Sequence, residues 1–173
     1  MNTWNRIGII AAVLLLAAAA PADASEDDAM QNLNEWAAAR AGSEWSGRAE
    51  LWVDPSGNEG ETSDATLQVG NDRMTYTWVY KGTPHSGELT WADDGLRWHD
   101  SWHQPEGVAL TPVAAHGALL AAEYSYPAGT GPDWHWRIKL SQRPDDTLVL
   151  QMTNIAPWGE EARAVRMVLR EDD

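Results

Sequence analysis

Three segments of the sequence, residues 74–80, 96–102 and 134–140, carry aromatic side chains at alternate positions. In a β-strand, residues i, i+2 and i+4 point to the same face of the sheet. We therefore expect each segment to be a strand with an aromatic face, so that Trp98 and Trp102 share one side. The pattern predicts an all-β sandwich or barrel with a large apolar interior.

Turn residues recur about every ten positions after Gly42, and one of these clusters is Gln104-Pro105-Glu106-Gly107. They separate predicted strands near 45–53, 62–69, 73–80, 86–91, 96–102, 118–126, 133–141, 147–155 and 161–170, with a possible tenth near 108–113. Such spacing predicts an antiparallel meander, and closing it removes the exposed edges. The predicted fold class is an all-β, up-and-down antiparallel barrel of about 9–10 strands.

The first 24 residues have the features of a bacterial signal peptide. Arg6 precedes an apolar run of 12 residues, and Ala22-Asp23-Ala24 matches a signal-peptidase site. Cleavage there leaves one predicted domain, 25–173, in the periplasm or outside the cell, with no stable membrane anchor; an uncleaved anchor is the alternative. The absence of Cys excludes disulfides and a lipoprotein anchor.

An amphipathic helix is predicted over 26–40, at the start of the mature chain. Its apolar stripe consists of Met30, Leu33, Trp36 and Ala37. The stripe can close one end of a barrel or pack on the outside of the sheet, and the sequence leaves both open.

The chain is acidic, with a net charge of −14. This charge argues against nucleic acid and anionic membrane surfaces, because both need clustered Lys and Arg. It permits a cationic partner, although solubility alone explains the acidity.

Three segments give the chain a resemblance to calycin-type barrels. Gly42-Ser43-Glu44-Trp45-Ser46-Gly47 opens the first strand, one residue longer between Gly and Trp than the Gly-x-Trp of lipocalins. Residues 80–87 and 164–170 are similar to exported bacterial calycin-like proteins of unknown function. The resemblance, to a group that includes lipocalins and fatty-acid-binding proteins, implies a barrel with a cavity for a small apolar ligand, and no particular chemistry.

Neither a metal site nor a haem site is expected. His99 and His103 would lie roughly 13 Å apart along a strand, so a metal would need His135 as well. All three alternate with Trp and are expected to face outward. Some calycin-like barrels hold haem through a histidine near the end of the chain, but no histidine follows His135. We therefore predict no cofactor.

The sequence gives no catalytic residue. Ser101 lies near His99 and His103, but the chain has no Gly-x-Ser-x-Gly motif for a hydrolase. A hydrolase or isomerase that uses the cavity is a remaining alternative.

Tryptophan offers two interpretations, because ten of the eleven Trp follow residue 24 and the chain has no Phe. Trp can simply fill the core in place of Phe. Alternatively, a set of aromatic side chains lines a cavity for a flat or lipidic ligand. Asp100 is the best polar candidate in such a wall. The predicted ligand-binding set is Tyr76, Trp78, Trp98, Asp100, Trp102, Trp134 and Trp136.

Two functions other than an enzyme follow from these interpretations. The first is an exported, non-enzymatic barrel that binds a small apolar or amphipathic molecule. The second is an envelope protein with a filled barrel that binds a protein partner.

Overall fold

The computed structural model describes residues 26–54, 60–92, 95–114 and 116–173, with side chains from Met30 onward. The predicted signal peptide and its cleavage site lie outside these residues. The described elements are α1 (Glu26–Ala38), β1 (Glu44–Trp52), β2 (Gly60–Val69), β3 (Arg73–Tyr80), β4 (Thr83–Ala92), β5 (Gly95–Asp100), β6 (Gln104–Pro112), β7 (Leu120–Tyr126), β8 (Trp134–Gln142), β9 (Leu148–Ile155) and β10 (Glu161–Glu171).

The strands form a closed antiparallel barrel in which each strand pairs with its neighbours in the chain. β1 closes the barrel by pairing with β10 as well as with β2, so that Trp45 lies opposite both Glu171 and Leu67. The all-β prediction, the up-and-down order and the N-terminal helix are confirmed. The possible tenth strand, which the sequence indicated near 108–113, is present as β6.

Alternation of inward and outward side chains is clear in β3. Met74, Tyr76 and Trp78 are buried, while Thr77 and Val79 between and after them are exposed. The alternate spacing of the sequence therefore predicts the inner face of this strand. Because all ten strands are paired, the barrel leaves no sheet edge in the described part of the chain.

The helix covers one end of the barrel. Leu33, Trp36 and Ala37 are buried in the core, and the Trp36 ring lies 6.5 Å from that of Trp45, which points inward from the start of β1. The Trp36 indole N–H donates to Gln142 at the end of β8, at 2.8 Å. We call the opposite end, where β3 and β5 end and β8 begins, the distal end.

The end of one predicted strand, 96–102, and one predicted turn are wrong. β5 ends at Asp100, residues 101–103 form the turn, and the predicted turn at 104–107 is the start of β6. The Asp100 carboxylate accepts hydrogen bonds from the backbone N–H groups of Trp102 and His103, at 2.9 and 3.0 Å, and so ends the strand. Gly107, with φ of 71°, lies where the register between β5 and β6 shifts.

Candidate functional site

A cluster of aromatic and ionisable side chains lies at the distal end, supplied by β3, β5, β8 and the turn between β5 and β6. Trp78 comes from the end of β3, and Trp136 comes from the start of β8. We call it the His103 cluster, and its members are Trp78, Trp98, Asp100, Trp102, His103 and Trp136.

Asp100 is fully buried, yet its carboxylate is well supplied with donors. Besides the two backbone N–H groups of the turn, it accepts from the Tyr76 hydroxyl at 2.7 Å and pairs with His103 Nδ1 at 3.0 Å. Burial by itself raises the pKa of the Asp100 carboxyl, but the hydrogen bond and charge of His103 and the hydrogen bond of Tyr76 outweigh it. The pKa therefore lies below its ordinary value, and Asp100 is ionised at neutral pH.

Tyr76 connects Asp100 to the wall of the barrel. Its hydroxyl donates to Asp100 and accepts from the Trp98 indole N–H at 2.8 Å. Burial and then the neighbouring Asp100 charge raise the pKa of Tyr76 well above its ordinary value, so the phenol stays neutral. The ring occupies the space beside Gly87, its partner across β3 and β4.

His103 points inward, which corrects the prediction that it faces outward. The turn after Asp100 redirects its side chain, so that only 15% of the side chain is exposed. The ring centroid lies 4.9 Å from Trp136 and 5.8 Å from Trp78. The 3.0 Å contact between His103 Nδ1 and the Asp100 carboxylate holds and orients the imidazole ring.

His99 and His135 lie on the outside of the barrel, as expected. His99 is exposed on β5, and His135 is 3.8 Å from the Glu123 carboxylate on the outer surface. In the described part of the chain, no group of three His, Asp or Glu side chains is placed to hold a metal ion.

Two indole N–H groups of the cluster have no hydrogen-bond partner among the described residues. They belong to Trp78 and Trp136, both of which are more than nine-tenths buried and contact the His103 ring. Nε2 of His85, which stacks on Trp78 at 4.5 Å, has no partner either. A buried donor without a partner costs about 1–3 kcal/mol. The two indole N–H groups that lie beside His103 therefore need an explanation.

Trp102 lies at the rim of the distal end and is 42% exposed. The prediction that it extends the face of Trp98 on one strand is wrong, because β5 ends before it. Its ring instead contacts Tyr80 at 4.7 Å and His85 at 4.8 Å. Trp102 is thus the outermost member of the cluster, and its ring centroid lies 5.9 Å from that of the buried Trp78.

The predicted ligand-binding residues divide into three groups. Trp134 is half-buried at the start of β8, and its ring contacts that of Trp158. Among the described residues, no member of the His103 cluster makes a ring contact with either of these two tryptophans. Trp102 is at the rim. The inward-facing set at the distal end is Tyr76, Trp78, Trp98, Asp100 and Trp136.

Ser101 is turned away from the cluster. It is exposed, accepts a hydrogen bond from the Ser86 N–H at 3.0 Å, and lies 3.4 Å from His85 Nδ1. The sequence-based alternative paired it with His99 or His103, and the turn separates it from both.

Among the described residues, the exposed large apolar side chains are Val53, Val79, Trp102 and Trp158. All four lie at or beside the distal end, in or next to the connections β1–β2, β3–β4, β5–β6 and β9–β10.

The closed ten-strand antiparallel barrel is compatible with a calycin-like fold. No protein-family model matches the sequence, and no curated protein matches it.

Proposed function

We propose that the protein is an exported, non-enzymatic barrel of the calycin type that binds a small apolar or amphipathic molecule at its distal end. The observation that carries the proposal is the pair of buried, unpartnered indole N–H groups of Trp78 and Trp136 beside His103. A bound molecule that supplies an acceptor would remove their desolvation cost.

The position of the cluster supports the same function. The helix covers the other end of the barrel, so a molecule from solvent reaches the interior most directly at the distal end. There the partly exposed rings of Trp102 and Tyr80 pack edge to face, with their centroids 4.7 Å apart, beside the buried members of the cluster. Ligand sites are commonly apolar walls with a few polar groups that fix orientation.

Export is part of the proposal and has its own test. If residues 1–24 direct secretion, the mature protein begins at Ser25, after the Ala22-Asp23-Ala24 pattern. N-terminal sequencing of protein recovered from the periplasm of an expressing bacterium is expected to give Ser25. Intact Met1 in the membrane fraction would instead indicate an uncleaved anchor.

Replacing Trp102 by Ala is expected to weaken binding by about 1–3 kcal/mol, the contribution of one large apolar side chain. The free energy of unfolding changes less than for a core Trp, because Trp102 is already 42% exposed. Affinity is measured by tryptophan fluorescence against a panel of fatty acids and flat aromatic dyes.

Trp158→Ala is the matched control. Trp158 is also an exposed tryptophan at the distal end, but its ring partner is Trp134. The Trp158→Ala substitution should leave ligand affinity nearly unchanged. If no compound in the panel alters the fluorescence of the wild-type protein, ligand binding is rejected, and the exposed apolar rim would favour the alternative of a protein partner.

A further inference from the structure

Trp158 is exposed to solvent, yet hydrogen bonds hold the turn that carries it. It lies in the connection between β9 and β10 and is 71% exposed. Within the turn, the Gly159 N–H donates to the Ala156 carbonyl at 2.8 Å, and the Ala156 N–H donates to the Glu160 carbonyl at 2.9 Å. The Trp158 indole N–H donates to the Glu160 carboxylate at 3.0 Å. A large side chain held in place outside the core loses little conformational freedom when a partner binds it.

Trp158 and Trp134 form a corner of two aromatic rings beside a carboxylate. Their ring centroids are 5.7 Å apart, and the ring planes meet at 77°, edge to face. Each inner angle of such a pair is bounded by a face of both rings, and ring faces attract cations. The second carboxylate oxygen of Glu160, Oε1, accepts no hydrogen bond from the described residues. We call Trp134, Trp158 and Glu160 the Trp158 corner, and its groups suit an organic cation.

No cation of the described chain lies over the rings of the Trp158 corner. The pairing itself is present at the same end of the barrel, where the Arg163 guanidinium lies 5.4 Å from the centroid of the Trp52 ring. The chain has a net charge of −14, so a basic partner is attracted to it as a whole. The corner therefore fits a cation that another molecule brings.

We propose that the Trp158 corner binds an arginine side chain of a partner polypeptide, separately from any apolar ligand at the His103 cluster. A guanidinium is planar and always charged, so it stacks on an indole while its N–H groups donate to Glu160 Oε1. A lysine ammonium is more strongly hydrated and has no flat face, and it therefore gains less. Because the corner lies on an exposed turn, a small free cation would keep much of its surface in water. A polypeptide also contacts the exposed Pro157 beside the ring.

The test compares three peptides that differ only in their central side chain. They are acetyl-Ala-Ala-Arg-Ala-Ala-amide and the same peptide with citrulline or with lysine in place of arginine. Citrulline keeps the shape of arginine and removes its charge. Titration of the ¹⁵N-labelled protein, followed by the NMR signals of the indole N–H groups, measures each affinity. The arginine peptide is expected to bind about tenfold tighter than the citrulline peptide, with lysine between them, and to shift the signals of Trp134 and Trp158.

Two substitutions test the two parts of the corner. Trp158→Leu keeps an apolar side chain but removes the ring, and is expected to abolish most of the preference for arginine over citrulline. Glu160→Gln is expected to weaken binding of the arginine peptide by about threefold, the scale of an exposed ion pair. The matched controls are Val53→Ala and Glu106→Gln, an exposed apolar side chain and an exposed carboxylate at the same end of the barrel. Both should keep the preference.

Three results would overturn the proposal. The first is an arginine peptide that does not bind the wild-type protein, or binds no tighter than its citrulline counterpart. The second is equal binding of arginine and lysine that Trp158→Leu leaves unchanged, because the net charge alone would then explain it. The third is methylguanidinium binding as tightly as the arginine peptide, which would assign the corner to a free cation. The wild-type comparison of the peptides decides the first result without any variant.

Discussion

Gly87→Ala is expected to lower the free energy of unfolding by about 3 kcal/mol, the upper part of the usual range for overpacking a core. A Cβ atom at position 87 would lie 2.2 Å from both Cζ and Oη of Tyr76. The Tyr76 ring cannot move aside freely, because its hydroxyl is bound to both Asp100 and Trp98. Chemical denaturation of the wild type and the variant measures the difference.

Gly131→Ala is the matched control for this substitution. Gly131 is exposed, and a Cβ there would meet nothing within 4 Å. Its stability should stay close to that of the wild type. If Gly87→Ala proves equally harmless, Tyr76 does not occupy the space beside Gly87, and the described link between Tyr76 and Asp100 is wrong.

The same steric argument connects the fold to the site. Gly87 is the cross-strand partner of both Tyr76 and Asp100, so β4 leaves room at the point where the aromatic ring approaches the carboxylate. A larger side chain would displace Tyr76 and with it the hydrogen bond that helps to keep Asp100 ionised. The cluster therefore depends on a residue that carries no functional group.

The fold could be predicted from the sequence because the patterns that indicate it lie within single strands, helices and turns. The alternate aromatic positions in 74–80 define the inner face of β3, and the apolar stripe of residues 30–37 identifies the helix that covers the barrel. Turn residues about every ten positions predict the strand number. All of these follow from the geometry of single strands and helices.

The site could be predicted from the sequence only in part, because a side-chain interaction of Asp100 interrupts the period-two pattern of β5. Asp100 was correctly predicted to share the inner side with Trp98. However, its hydrogen bonds to the next two backbone N–H groups end β5, place Trp102 at the rim and turn His103 inward. A signal existed, since Asp followed by Ser favours a turn, but the aromatic alternation through Trp102 masked it. The pairing of His103 with Asp100 follows from that turn.

Asp100→Asn is expected to lower the free energy of unfolding at pH 7 by about 2–3 kcal/mol. Hydrogen bonds to a charged group contribute about 1.5–3 kcal/mol each. The amide of Asn would also present an N–H group toward the Tyr76 hydroxyl, which donates to the carboxylate in the wild type. The loss should depend on pH. The folded-state pKa of Asp100 is lowered, so its stabilisation is present above the unfolded value of about 3.9 and is lost as the pH falls through the lower folded value.

The difference between the wild type and Asp100→Asn should therefore shrink as the pH is lowered from 7 toward 3, because protonated Asp100 is nearly the equivalent of Asn. Denaturation at a series of pH values measures this difference directly, and the effects of other carboxyl groups cancel in it. Asp145→Asn is the control, because Asp145 also has a lowered pKa, owing to Thr147 and to the charges of Arg170 and Arg143, but its side chain is 55% exposed. Its difference from the wild type should be much smaller at every pH. A constant difference for Asp100→Asn from pH 7 to pH 3 would mean that Asp100 is not stabilised as a carboxylate.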